Sequence, residues 1–281
     1  MKIYAFADEA SPWISGQIEA MQKNGVDGLE IRNVDQVNVS ELSDQKAREV
    51  KQQLDAAGIE VWSVGSPIGK IDIEKDDFLL HTEKFKRTLE IAEILGAKNI
   101  RLFSFFTPQQ TRSEYKTQVI ERLGRFLDIA NESGIILCHE NEKGIYGDTA
   151  ERCLEIHRAL PELKAVFDPA NFVQCGVDTQ NAWKILKPYV KYLHIKDALQ
   201  DGSVVPAGKG IGHVQEILED YRKSGGLYVT VEPHLNIFQG LNTLEKEVKN
   251  SGVGMVYRYA SDEEAFQAAV AALKELLDLT K

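Results

Sequence analysis

The chain of 281 residues carries only three cysteines, Cys138, Cys153 and Cys175. An odd number at wide spacing supports neither a disulfide framework nor a cysteine zinc cluster; it reads as reduced thiols in a cytoplasmic protein. Long apolar runs are also missing. No stretch approaches the roughly 18 uninterrupted apolar residues of a transmembrane helix. The opening Met1-Lys2-Ile3-Tyr4-Ala5-Phe6 runs into Asp8 and Glu9 without the apolar core of a signal peptide. Basic residues are in deficit, 33 Lys and Arg against 43 Asp and Glu, for a formal charge of −10. Neutralising phosphates needs clustered cations, so this balance opposes nucleic acid and anionic membrane as partners. A few local cations could still dominate a pocket.

What is present is an ordinary globular composition, 43% hydrophobic and 27% charged. Short β-rich runs recur at Ile3–Ala7, Gly28–Arg32, Glu60–Gly65, Asn99–Phe105, Ile135–His139, Lys164–Phe167, Lys191–Ile195 and Leu227–Val231. Helical spacing fills the intervals, most clearly over Phe78–Gly96 and Tyr115–Gly134. Gly25, Gly58, Gly96 and Gly134 fall where left-handed helix caps belong, and Ser11-Pro12 and Ser261-Asp262-Glu263-Glu264 read as helix starts. Eight strand–helix units in one chain are the signature of a closed (β/α)₈ TIM barrel. An open doubly wound sheet would more often carry a glycine-rich turn after strand one, and Ala7-Asp8-Glu9-Ala10-Ser11-Pro12 is not one. No linker divides the sequence, so residues 1–281 read as a single domain. A loop insert at about 234–259, after strand eight, is placed to cover the barrel mouth.

In such a barrel the C-terminal strand ends share one cavity. Strand five ends in Glu140, strand six in Asp168, strand seven in His194 and strand eight in Glu232. Each follows an apolar run, where an uncompensated charge is costly. Three carboxylates and an imidazole converging on one axis repel unless a cation lies between them. The oxygen-rich set suits Mn²⁺ or Mg²⁺ better than a thiolate-seeking ion. A carbonyl beside a hydroxyl could then bind through both oxygens, with proton removal stabilised as an enediolate.

Four segments carry a resemblance: His139-Glu140-Asn141, Phe167-Asp168-Pro169-Ala170-Asn171, His194-Ile195-Lys196-Asp197 and Val231-Glu232-Pro233-His234. Their order and spacing resemble the sugar phosphate isomerase/epimerase family, the xylose isomerase-like barrels, over essentially the whole chain. That family includes ketose 3-epimerases, hydroxypyruvate isomerase, inosose dehydratase and, more distantly, class II AP endonucleases. The resemblance implies that Glu140, Asp168, His194 and Glu232 are the ligands of one divalent ion. Mn²⁺ is favoured, with Mg²⁺, Co²⁺ and Zn²⁺ as alternatives, and no organic cofactor is implied. It also implies that Glu140 and Glu232 are the acid/base pair, and that the protein is a homodimer or homotetramer.

The chain departs from the epimerase pattern at three places. Asn171 stands where those enzymes often carry His, no Arg follows His194 closely, and Lys209 replaces a common acidic residue. A sugar acid or sugar phosphate therefore joins free sugars and keto-sugars among the expected substrates. Candidate substrate contacts are Lys196, which shares strand parity with His194, with Asn171, Arg32, Arg101, Lys70, His234 and Lys209. For Arg32 the bland alternative is an ion pair with Glu30, which could itself face the cavity. His139 points away from Glu140 and reads as structural, whereas His81, His157 and His213 are expected to face solvent. Trp62 and Phe103 are wall or core.

The first functional expectation is thus a metal-dependent isomerase or epimerase. The second is a dehydratase of an inosose- or dehydroshikimate-like ring through the same enolate. An AP endonuclease-like phosphodiesterase would need more histidines and a basic face. A non-catalytic sugar-binding barrel would be expected to lack at least one ligand.

Overall fold

The computed structural model describes residues 1–238, 241 and 251–279. Eight parallel strands run in chain order: β1 Lys2–Ala5, β2 Gly28–Ile31, β3 Glu60–Gly65, β4 Asn99–Leu102, β5 Ile136–Glu140, β6 Lys164–Phe167, β7 Val190–Ile195 and β8 Tyr228–Val231. Each pairs with its neighbours, and β1 pairs with β8 to close the barrel. The expected strands are all present; Glu60–Gly65 and Lys164–Phe167 match at both ends, and no end of the others is shifted by more than three residues. A register shift between Leu29 and Glu30 opposite β3 places Glu30 against Ser63.

Around the barrel lie α1 Ile14–Asn24, α2 Asp44–Ala56, α3 Phe78–Leu95, α4 Lys116–Ala130, α5 Ala150–Ala159, α6 Pro169–Gln174, α7 Thr179–Leu186, α8 Val214–Lys223 and α9 Asp262–Leu279. Ser261 caps α9 through the Glu264 amide, as its sequence promised. The start of α1 differs, because Ser11, three residues before the helix begins, accepts from the Trp13 amide. The outer core between α3 and α4 is aromatic, with Phe126 lying 4.8 Å from Phe85 and 5.5 Å from Phe78. Of the loop expected at 234–259, residues 239–240 and 242–250 lie outside the described residues. Its described parts bury Leu235, Phe238, Leu241 and Val253, and the Phe238 ring lies 5.2 Å from the Arg32 guanidinium.

The barrel interior is layered. At its N-terminal end Trp62 stacks on both Tyr4, at 5.1 Å, and Tyr228, at 4.1 Å, whose own rings lie 6.3 Å apart. Trp62 is therefore a plug of the closed end, remote from the strand termini. Above it come Glu30, Ser63 and Tyr192, all fully buried. The charged layer occupies the C-terminal end.

Two expectations for histidines fail. His81 and His157 lie on α3 and α5 as read, but both are buried. The His81 ring accepts from the Gly69 amide at 2.8 Å, which requires an unprotonated nitrogen. Gly69 has φ +85°, and a Cβ there would stand 2.0 Å from the Phe103 carbonyl oxygen, so the turn needs glycine. His157 shares a hydrogen bond with the Leu163 carbonyl and stacks on Tyr189. Helical periodicity locates such residues on a helix without showing how far the neighbouring helix covers them. His213 is exposed as expected.

Burial pushes His157 down from 6.5 to about 4. A depressed histidine contributes stability above the unfolded-state pKa, and loses it as pH falls toward the folded one. Between pH 7 and 4.5, His157→Asn should therefore lose about 2–3 kcal/mol less stability than the parent. Urea denaturation at the two pH values measures the difference, and parallel losses would refute it. In the outer core, Phe126→Ala should cost about 3–5 kcal/mol in the same assay at pH 7.

Candidate active site

The strand-end residues converge because β5, β6, β7 and β8 are adjacent in the barrel. Glu140, Asp168, His194 and Glu232 each present one ligand atom, and these atoms all lie within 4.8 Å of one another. All four side chains are buried. Asp168 caps α6, its Oδ1 accepting from the Asn171 amide at 2.9 Å, which turns Oδ2 toward the cluster. Asn141 clamps the Asp168 backbone from both sides, donating to its carbonyl and accepting from its amide, each at 2.9 Å. Asn171 donates to Glu140 Oε1 at 3.2 Å, so it holds a carboxylate of the cluster.

The donor set fits a divalent cation. Glu140 Oε2 and Asp168 Oδ2 are buried and make no hydrogen bond; each meets one protein cation, Arg101 at 3.1 Å and Lys196 at 3.0 Å, and keeps lone-pair capacity that a further cation could take. His194 Nδ1 stands 3.0 Å from Glu140 Oε1 and 3.5 Å from Glu232 Oε2. Three carboxylates with one imidazole match a hard or borderline ion.

Protein cations ring the same atoms. Lys196 Nζ lies 2.7 Å from Glu232 and 3.0 Å from Asp168. Arg101 Nε lies 3.1 Å from Glu140 Oε2. Arg32 meets Asp8 and Glu9 at 2.9 Å and Glu232 at 3.3 Å. The local pair with Glu30 does not form; Glu30 instead meets His194 Nε2 at 3.1 Å. Glu9 holds His234 by its backbone amide at 2.6 Å and by Nδ1 at 2.9 Å, at a residue whose φ is +47°. His234 Nε2 is then 3.7 Å from Glu232. Lys70 pairs with Glu142 at 3.1 Å and lies 4.4 Å from the Phe103 ring. Lys209 is exposed on the Pro206–Gly210 turn.

The charges set one another's protonation. Burial, reinforced by the Glu232 and Glu140 carboxylates, pushes Asp168 up to about 7 against the pull of Lys196. Burial opposes ionisation of Glu232 too, yet Lys196, His234 and His194 outweigh it and hold that group well below the carboxylate range. For Lys196 burial acts downward, and the Asp168 and Glu232 charges carry it well above its ordinary value. Glu142 is similarly desolvated, but Lys70 and Lys143 bring it to about 2. Asp8, Glu9 and Glu142 were not named as site residues from the sequence. Asp8 and Glu9 lie in the turn after β1, and the pairing of β1 with β2 brings them to Arg32, while barrel closure adds Glu232 from beyond β8.

A cleft of about 370 Å³ adjoins the cluster, lined by Asp8, Asn33, Asn38, Ser66, Lys70, Arg101 and Phe103 among others. Arg101 belongs to both, with its guanidinium between the Ser66 carbonyl and Glu140.

A closed parallel eight-stranded barrel with carboxylates and an imidazole gathered at its C-terminal face defines a class of metal-competent (β/α)₈ proteins. The family model for xylose isomerase-like TIM barrels matches residues 18–248, and the chain belongs to that family. No curated protein sequence matches it. Among solved structures it resembles the IOLI protein with a binding zinc atom, at 20% identity and TM-score 0.75, over 100% of this chain and 99% of that one. It also resembles D-psicose 3-epimerase from Clostridium cellulolyticum H10, at 17% identity and TM-score 0.73, over 100% of both chains. The probable 3-DHS dehydratase AsbF from Bacillus anthracis is similar at 17% identity and TM-score 0.71, over 98% and 99%. At these identities the likeness shows the fold. Among the described residues no helix is long and apolar enough to cross a membrane.

Lys196→Met should leave Asp168 and Glu232 facing each other without their shared cation. In chelator-treated protein at pH 8, where Asp168 is ionised, urea denaturation should show a loss of about 3–5 kcal/mol. A loss below about 1 kcal/mol would show the pair to be solvated.

Proposed function

We propose that the protein is a divalent-metal-dependent isomerase or epimerase of a small neutral sugar or keto-sugar. The observation carrying this reading is the convergence of Glu140, Asp168, His194 and Glu232 within 4.8 Å. A cation bound there would polarise a carbonyl and its neighbouring hydroxyl, lowering the cost of the negative charge left when the intervening C–H loses its proton. Mn²⁺ is the favoured ion, and the zinc atom bound by the IOLI protein keeps Zn²⁺ among the alternatives.

The chain's own residues do the proton work. Glu140 and Glu232 stand on β5 and just past β8, on different sides of the cluster, so one can take the proton and the other return it. Asn171 and Arg101 fix Glu140, and Arg32 and Lys196 fix Glu232. The buried surroundings keep water from competing for the proton.

The charge inventory bears on the substrate. Arg32, Lys70, Arg101 and Lys196, considered from the sequence as anion contacts, are each committed to a carboxylate. Lys209 stands apart from them. We therefore read the substrate as uncharged, recognised by hydrogen bonds from these paired groups and from the amides Asn33 and Asn38 of the cleft. Dehydration is the second reading, favoured by His234. Glu9 orients it, and its Nε2 faces Glu232, a placement suited to protonating a departing hydroxyl. The reduced Cys138 and Cys153, both buried, accord with a cytoplasmic setting.

Protein purified without chelator should carry about one divalent ion per chain, lost on His194→Ala; elemental analysis showing no ion after loading with Mn²⁺, Mg²⁺, Co²⁺ or Zn²⁺ would sink the proposal. In D₂O, across neutral sugars and their acid and phosphate derivatives, Glu140→Gln and Glu232→Gln should each lower net turnover by at least 100-fold. Solvent deuterium should enter the carbon beside the carbonyl in the parent protein, and loss of water in place of epimerisation would select the dehydratase reading.

A further inference from the structure

Glu30 is the fully buried carboxylate that the proposed proton chemistry leaves unused. Its Oε1 accepts from the Tyr192 hydroxyl at 2.8 Å and lies 3.3 Å from the Ser63 hydroxyl, which itself lies 3.1 Å from Tyr192. Its Oε2 lies 3.1 Å from His194 Nε2. An ionised carboxylate only accepts hydrogen bonds. The hydrogen on His194 that faces Glu30 must therefore sit on Nε2. By the same rule Nδ1, 3.0 Å from Glu140 Oε1, carries hydrogen while no cation is bound; a cation held by Glu140 and Glu232 would displace that Nδ1 hydrogen and leave Nε2–H on Glu30. Nδ1 is the nitrogen that faces Glu140 and Glu232. The ring is also fixed in angle, since Phe6 packs edge-on against it at 5.2 Å and Tyr192 at 5.5 Å.

We infer that Glu30 is a positioning residue for the proposed metal centre: it holds the Nε2–H tautomer of His194 and so presents Nδ1 as the ligand atom. This rests on the metal-dependent reading above and assigns a role to a strand-two carboxylate outside the ligand set. A carboxylate behind a ligating imidazole orients the ring and raises its basicity, and losing such a partner typically weakens metal binding. The alternative is a buried structural ion pair that contributes only to folding.

Glu30→Gln separates the two. The amide keeps the shape, and its oxygen can still accept from Nε2–H, while the charge is removed. Calorimetric titration with Mn²⁺ at pH 7.5 should show affinity falling by about 10–100-fold, with the thermal midpoint of the chelator-treated protein giving the separate folding cost. Zn²⁺-loaded parent protein with ¹⁵N-labelled histidine should show a protonated Nε2 and a zinc-bound Nδ1 for His194, assigned by the resonances missing in His194→Ala. Tyr192→Phe, which removes a donor to Glu30 and leaves its bond to His194, should keep Mn²⁺ affinity within about threefold of the parent. Unchanged affinity in folded Glu30→Gln, or a proton on Nδ1 with zinc on Nε2, overturns the inference. If Glu30→Gln does not fold, the ¹⁵N assignment decides alone. Parent protein that binds no divalent ion would refute the metal reading itself, a result distinct from binding that ignores Glu30.

Discussion

Carboxylates packed at one end of a sealed barrel have to be neutralised without bulk water, and much of the C-terminal half of the interior is arranged around that need. Asp8, Glu9, Glu30, Glu140, Glu142, Asp168 and Glu232 are all buried there. Arg32, Lys70, Arg101 and Lys196 answer four of those seven charges. Against its burial, Glu140 and Glu30 carry His194 well above its ordinary pKa, so its proton answers a fifth charge; two negative charges then remain, His234 uncounted, and Coulomb repulsion at these separations is large in a poorly hydrated interior. The remaining relief must come from protons or from a cation. The high Asp168 pKa is the first kind of relief, since a carboxyl near 7 keeps its proton part of the time at neutral pH. A divalent ion is the second, and it would compete with that proton for the same oxygen.

The closed end of the barrel makes this electrostatic economy possible. Trp62, Tyr4 and Tyr228 fill it with stacked rings. Water that solvated Glu30 or Tyr192 from below would screen the cluster and weaken every pairing in it. The described approach is instead from the strand C-termini, past Phe103, Lys70 and Arg101. Access from one side also keeps the two glutamates chemically distinct. Glu140 is held by an amide and a guanidinium, Glu232 by a lysine and a guanidinium.

Much of the fold was legible because alternation and glycine caps are local signals. So were the four strand-end residues, since each ends an apolar run with a side chain that is expensive to bury. What the sequence hid was pairing. Arg32 and Glu30 share a strand face and look like partners, but residues two apart occupy successive layers of a barrel. Arg32 therefore sits with Asp8, Glu9 and Glu232 in the outer layer, while Glu30 sits a layer deeper with Tyr192 and His194. The partners come from the neighbouring strand and from strands across the barrel, so strand pairing and closure together define them. The buried His81 and His157 were hidden similarly, because helix spacing does not report how wide a face the next helix covers.

Layering also bears on specificity. A phosphate or carboxylate entering the site would need cations free to meet it, and those on hand are already held by carboxylates at 2.7 to 3.3 Å. Taking one for the substrate would strand a buried anion, which costs more than the new contact returns in an interior of this kind. A polyhydroxylated substrate needs no such exchange. Its hydroxyls can donate to carboxylate oxygens and accept from guanidinium and ammonium hydrogens while the ion pairs stay intact. The same pairings that neutralise the carboxylates would then give a sugar ring its hydrogen bonds, so the cluster's neutralisation and the proposed preference for an uncharged substrate would follow from one arrangement.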